Sequence, residues 1–305
     1  MKNLAQLLTG STPNFKQDIL DDLAKSSYEF AQYFEKWSKV DMAILTAKQK
    51  RDHVLKILSK FVYYFLKTKT NKPIDFIIKG ISKVLQTPDS EGILEKKTKL
   101  RMYVNYASNI AEQIVNSNKE NEIRKYFSNA SMTDMIVVSQ QAYEIPAKSE
   151  ILLKEYRIIT KPILEKHLDV YDNLSEFMEK IVFQLYSILK ILNGDSINYK
   201  KAKKYKLSCN YNYLQRDRNF RLLIKPIDVL IRNSLAHHRR YYALEKKSIV
   251  FRDIINERRW KKLTFRKFVD LTRELFCCAF VSCYMEMFIS LEKLKNFKKD
   301  LNKIS

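Results

Sequence analysis

The sequence predicts an all-α fold, a helical bundle in which one short β-hairpin is the only expected extended element. Two observations carry this. The 305-residue chain holds only four glycines and six prolines, and sheets joined by tight turns need glycine at positive φ. Apolar residues also recur at helical spacing through segment after segment. With 46% hydrophobic residues, the chain can bury one large core or two ordinary ones.

Asp18 to Trp37 repeats Ile19, Leu23, Tyr28, Phe30, Tyr33, Phe34 and Trp37 along one helical face. Met42 to Lys67 follows, with Ile44, Leu45, Val54, Leu55, Leu58 and the run Phe61 to Phe65. His53, behind Arg51 and Asp52, is expected on its solvated surface. Pro73 opens the next helix, which must stop before the breaker Thr87-Pro88-Asp89. Lys96 to Asn116, Asn121 to Phe127 and Met132 to Tyr143 keep the same pattern. Pro146 marks a seam between an N-terminal helical region, 1–148, and a second region, 149–305.

Beyond the seam, Ser149 to Glu165 contains Pro162. A long helix is expected from about Ser175 to Leu192, closed by Asn193-Gly194-Asp195. His167 lies between these elements and is expected to be structural. Arg221 to Ala236 aligns Leu222, Leu223, Ile227, Leu230, Ile231 and Leu235 on one face, with Pro226 early in the helix. The β-rich runs Ser248 to Phe251 and Trp260 to Phe265 are spaced to pair as a hairpin. Thr264 caps a last long helix carried by Phe265, Phe268, Leu271, Leu275, Phe276, Phe280, Tyr284, Phe288 and Leu291, whose Lys- and Asn-rich tail is expected to fray. Cys277, Cys278, Cys283 and the lone Cys209 fit no zinc ligand set and are expected in the core.

Charge narrows the function classes. Lys+Arg outnumber Asp+Glu by 56 to 34, a formal net charge of +22, which favours a polyanionic partner through counterion release. Codon usage in an AT-rich genome produces the same excess. The most basic and aromatic stretch, Tyr199 to Lys225, contains Lys200, Lys201, Lys203, Lys204, Tyr205 and Lys206 and a single acid, Asp217. Interleaved rings and cations suit single-stranded nucleic acid; they also suit a solvated loop whose tyrosines pack back on the core. No Walker loop, Rossmann glycine pattern or metal-ligand set is present, so no metal and no cofactor are expected. Met1 to Phe15 lacks a signal-peptide pattern. Leu275 to Met285 is too short to cross a bilayer. A soluble, cytoplasmic protein with no membrane partner is expected.

The sharpest signal is Arg232-Asn233-Ser234-Leu235-Ala236-His237, at the end of the Arg221–Ala236 helix. Arginine holds phosphate with a planar fork of donors and stays charged. Histidine titrates near neutrality and can take or give a proton. Together with the Asn233 amide they are what phosphodiester cleavage without a metal requires. The same residues at a helix C-terminus also complement the helix dipole without any chemistry. Positions five apart on a regular helix lie about 140° apart, so either the helix unwinds before His237 or a second chain completes the site.

Arg232-Asn233-x-x-x-His237 resembles the R-N-x-x-x-H signature of the HEPN superfamily, small helical domains of which many are metal-independent ribonucleases of toxin–antitoxin, abortive-infection and CRISPR-effector systems. The resemblance spans about residues 150 to 300. It implies a four-helix domain within 149–305, a homodimer with a composite active site, and cleavage of single-stranded RNA by attack of the ribose 2′-OH. His237 would be the acid–base group, with His238 as an alternative; Arg232 would stabilise the phosphate charge and Asn233 would orient the histidine or phosphate. Arg239, Arg240 and Tyr241 would bind RNA. An antitoxin or other inhibitor, or a regulatory RNA, is a further possible partner. One subgroup, paired with nucleotidyltransferase antitoxins, carries a modifiable tyrosine two residues after the histidine. Arg239 occupies that position here.

Overall fold

The computed structural model describes residues 25–33, 35, 45–66, 69–86, 99–119, 121–123, 151–152, 154, 156–197, 207–243, 246–253 and 258–303. Among these the chain is mostly helical, with one three-stranded antiparallel sheet where a two-stranded hairpin was expected. The chain forms two compact units, 1–85 with 290–305, and 86–289. The seam expected at Pro146 lies outside the described residues, as do Met132 to Tyr143 and most of Asn121 to Phe127. The unit holding the motif therefore reaches N-terminal of residue 149.

In the first unit, residues 25–33 are helical, and α1 (Ala47–Leu66) and α2 (Pro73–Gln86) follow. Pro73 sits where a missing N–H costs nothing. Asp75, in the first turn of α2, pairs with Lys298. An aromatic cluster joins Phe30 to Phe61 at 5.5 Å and to Tyr64 at 6.3 Å. His53 is buried, at 9% exposure, against the expected surface position. It shares helical spacing with Ile57, Phe61 and Tyr64, so the face that packs the rings also covers it.

The second unit is built on α3 (Leu100–Asn116) and the 32-residue α4 (Lys161–Leu192). The helix expected from Ser175 thus starts some four turns earlier. Pro162 lies in its first turn, where the ring's fixed φ favours helix, so it opens α4 instead of separating two elements. Gly194, at φ +84°, closes α4: its N–H donates to the Ile191 carbonyl at 2.9 Å and the Asp195 N–H to the Lys190 carbonyl at 3.0 Å. This is a Schellman cap.

Next come α5 (Leu207–Leu214), α6 (Arg218–Leu223) and α7 (Val229–Ala236). One continuous helix from Arg221 was expected, but Pro226 removes a donor and disfavours helical backbone before it. Asp228 then caps a new helix, accepting from the N–H groups of Leu230 and Ile231 at 3.0 Å each. The sheet follows in the order β1 (Arg240–Ala243), β2 (Ser248–Arg252), β3 (Trp260–Thr264).

Thr264 caps α8 (Phe265–Cys283) through the Lys267 N–H at 3.2 Å. The single last helix breaks at Tyr284, and α9 (Met285–Lys303) continues beyond it. The apolar spacing is the same on both sides of Tyr284, so periodicity could not reveal the break. The basic tail, expected to fray, is helical to Lys303.

Phe268 of α8 packs between Tyr171 of α4, at 5.3 Å, and Phe251 of β2, at 5.5 Å, and all three rings are fully buried. Cys277 and Cys278 are buried as expected, Cys283 is half-buried, and Cys209 is exposed because its position on α5 faces away from Leu207, Asn210 and Leu214. No single helix among the described residues is long and apolar enough to cross a membrane.

Candidate functional site

The motif sits on α7, and three interactions fix that helix. Asp228 caps its N-terminus, and the second oxygen of the same carboxylate accepts from Lys261 of β3 at 2.5 Å. The Asp228 N–H donates to the Tyr171 hydroxyl, which donates in turn to the Pro226 carbonyl, both at 3.3 Å. Ile231 and Leu235 bury the inner face of α7. Burial raises the Tyr171 hydroxyl far above its ordinary pKa, so it stays a neutral bridge.

The C-terminal end is where the chemistry-bearing residues converge. α7 ends at Ala236, and His237 is its C-cap at φ −111°, ψ 15°, its N–H still donating to the Asn233 carbonyl at 3.2 Å. The helix thus stays wound up to His237, and the left-handed turn comes only after it. His238 follows in the left-handed region at φ +54°. Its N–H donates to the Leu235 carbonyl at 3.0 Å, and the Arg239 N–H donates to the Ser234 carbonyl at 2.8 Å. This is again a Schellman cap, with histidine where glycine is usual. The buried Ser234 hydroxyl donates to the Arg239 carbonyl, tying the turn back onto the helix. Both histidine rings are exposed, and neither has a hydrogen-bond partner among the described residues.

Arg232 and Asn233 are half-buried. Nη2 of Arg232 donates to Glu179 of α4 at 2.6 Å and Nη1 to the Asn233 side-chain oxygen at 3.2 Å. Two of the guanidinium's five donors are thus committed among the described residues. Asn233, accepting through Oδ1, keeps its Nδ2 hydrogens for another acceptor.

Glu179 ends an acidic stripe on α4: Glu165, Asp169, Asp172, Glu176 and Glu179 recur at alternating steps of four and three, one helical face. Arg240 pairs with Glu165 at 3.6 Å, and the Tyr242 hydroxyl donates to the same carboxylate. Asp172 feels both Arg232 and Arg240, yet its pKa is raised, first by burial and then by Glu176. Burial and the bond to Glu165 raise Tyr242 as well. The stripe escaped the sequence reading although its spacing was legible; so did Asp228, whose place before Val229 is an N-cap signature.

Of the expected RNA-binding residues, Lys200, Lys201, Lys203, Lys204, Tyr205 and Lys206 lie outside the described residues. Arg239 has both backbone groups locked in the cap: its carbonyl also accepts from the Arg252 N–H at 3.1 Å. Arg240 turns inward to Glu165, and Tyr241, on the opposite sheet face, is 50% exposed. In the aromatic stretch, Phe220 is core and Tyr213 is half-buried between Lys190, at 4.5 Å from its ring, and Arg216, at 5.7 Å. His167 is fully buried with neither ring nitrogen hydrogen-bonded among the described residues; burial, then the nearby Arg273, lowers its pKa to about 4. It is structural, as expected. Among the described residues no group of three or more His, Cys, Asp or Glu side chains converges to hold a metal ion.

No family model, curated protein or solved structure matches the chain.

Proposed function

We propose that the protein is a metal-independent endoribonuclease of the HEPN kind, acting on single-stranded RNA, with a four-helix catalytic domain and a site completed in a homodimer. The observation that carries the reading is the end of α7. A half-buried guanidinium and amide, held by Glu179, stand one helical turn before an exposed C-cap histidine. His237 removes the proton from the ribose 2′-OH, or gives one to the departing 5′-oxygen. The 2′-oxygen forms a bond to phosphorus, the bond to the 5′-oxygen breaks, and a 2′,3′-cyclic phosphate remains. Arg232 balances charge on the non-bridging oxygens as they develop it, and Asn233 donates from its amide. A two-fold dimer places two such pairs around one phosphate. Such chemistry suits a toxin or a phage-defence effector held in check by an inhibitor or antitoxin.

The Arg232–Glu179 pair also favours a second reading, an RNA-binding protein without catalysis. A carboxylate at 2.6 Å already neutralises the guanidinium, and phosphate must displace it or use the remaining donors.

Labelled single-stranded RNA incubated in EDTA separates the two. Cleavage by the parent protein leaving a 2′,3′-cyclic phosphate, lost in Arg232→Ala and His237→Ala, is the expected result. Equal, salt-dependent binding by all three proteins with no cleavage sinks the nuclease reading in favour of the binding one.

A further inference from the structure

The outer face of the sheet carries a surface that the motif does not use. Strand register decides which residues share it. Tyr241 pairs with Val250, and Val250 with Lys262. Two residues along, Arg252 pairs with Trp260. Directly paired residues and their i+2 neighbours lie on one side of a sheet. Tyr241, Val250, Arg252, Trp260 and Lys262 are therefore coplanar neighbours. Their alternates point the other way: Ile249 and Phe251 are fully buried, while Arg240, Tyr242 and Lys261 reach to Glu165 and Asp228.

On the outer face Trp260 is 59% exposed and Tyr241 50%. Tryptophan is rarely so exposed without a partner. The Arg252 guanidinium lies over the Tyr241 ring at 4.8 Å, and Lys262 completes the row. None of the outward positions on the three strands is an Asp or Glu. Asp253, directly after β2, pairs with Arg259 at 3.9 Å.

We infer that this face is a stacking platform for a single-stranded RNA segment flanking the scissile phosphate, with bases on Trp260 and Tyr241 and backbone phosphates on Arg252 and Lys262. It deepens the nuclease reading, on which it rests for the choice of RNA. Three things select this occupant. Flat π-faces alternate with cations, the recognition chemistry of unpaired bases. The face is purely cationic in a chain of net charge +22. And β1 starts three residues after His237, so the Tyr241 backbone lies within about 14 Å of it, the most that four residues can span. A protein partner would meet isolated rings beside two charged side chains, Arg252 and Lys262, a poorer match.

The chain has only two tryptophans, Trp37 and Trp260, so indole fluorescence reports on the platform. A 2′-O-methyl RNA 12-mer, which lacks the attacking hydroxyl, is titrated into the full-length protein and its variants. Parent fluorescence should fall on binding. Trp260→Ala should weaken binding about 5- to 100-fold and abolish the quenching, Tyr241→Ala about as much, and Trp260→Phe should restore most of the affinity. Arg252→Ala and Lys262→Ala should each lower the salt slope by about one. Circular dichroism melts, expected unchanged for these exposed positions, exclude misfolding.

Parent-like affinity of Trp260→Ala overturns the inference, as does equal affinity of the parent for a blunt RNA duplex. Loss of self-association in place of RNA affinity assigns the face to a second copy and also overturns it. The two readings fail separately. RNA cleavage with Trp260 irrelevant removes the platform alone. Trp260-dependent binding without cleavage in EDTA removes the nuclease alone.

Discussion

Two helix ends in the same unit share one cap geometry and carry different residues at its left-handed position. α4 closes with Gly194 in the left-handed position and α7 with His238, and both ends make the same pair of backbone bonds. At α4 the sequence uses the residue the backbone prefers, since glycine alone lacks the Cβ that penalises positive φ. At α7 it uses a residue that resists that conformation, though less than a β-branched one. Whether that side chain serves packing or chemistry is what substitution at His238 decides. The ends differ in their surroundings too. Lys190, in the last turn of α4, is tied to Asp195 at 2.8 Å, whereas at α7 His237 and His238 stand exposed beside an arginine clamped from α4.

The largest test asks which histidine at the α7 end does chemistry. Under the nuclease reading, His237→Ala lowers the cleavage rate about 10²- to 10⁴-fold, while His238→Ala changes it less than about tenfold. Rates from a quenched-fluorophore RNA substrate decide this. A reversal would mean that His238, held by its left-handed backbone, is the acid–base group.

Acid acts on the buried histidine of α4. His167 has an ordinary pKa of 6.5 when unfolded and about 4 when folded. Between these values the unfolded chain binds a proton that the folded chain refuses. The stability is intact above pH 6.5 and is lost as pH falls toward 4, by about 3 kcal/mol. Asp172, whose folded pKa is raised, works in the opposite sense because the folded state binds its proton first. Urea melts of parent and His167→Phe at pH 7 and pH 4.5 isolate the histidine contribution. The gap between the two proteins should shift toward the variant at the lower pH; a gap independent of pH removes the assignment.

The two helices also differ at their starts. Asp228 caps α7, pairs with Lys261 and receives the Tyr171 bridge through its neighbouring backbone. Thr160, the N-cap of α4, makes no side-chain cap bond. Asp228→Ala should therefore cost about 1–2 kcal/mol and Thr160→Ala less than about 0.5. Equal losses in thermal melts would show that α7 is held by packing of Ile231 and Leu235 alone.

What the sequence made legible follows physical range. The helices with one apolar face, the Gly194 closure and the Thr264 cap are local, and composition and spacing reveal them. The motif was readable for the same reason, being contiguous. What escaped depends on distant partners. β1 was missed because Arg240-Tyr241-Tyr242-Ala243 has no alternation of its own and gains strand geometry only by pairing with β2. The inward turn of Arg240 follows from Glu165, far away in sequence. Pro162 was ambiguous because the same residue ends one helix or opens another, and burial of the whole α4 stripe decides between them.

The smallest effects bear most directly on the comparison. Gly194→Ala puts a Cβ on a backbone at φ +84°, where nothing lies within 4 Å of it. Its cost is therefore purely conformational, about 1 kcal/mol. His238→Gly relieves the same penalty at φ +54°, against the extra freedom glycine gives the unfolded chain, about 0.4–1 kcal/mol. The net change should lie between zero and about 1 kcal/mol of stabilisation, read as an unchanged or slightly raised Tm. A stabilised His238→Gly protein that binds or cleaves RNA more weakly would show that the α7 end gives up stability for what its imidazole does. A destabilised one would mean that the His238 ring is part of the packing, and the two helix ends would then differ for structural reasons alone.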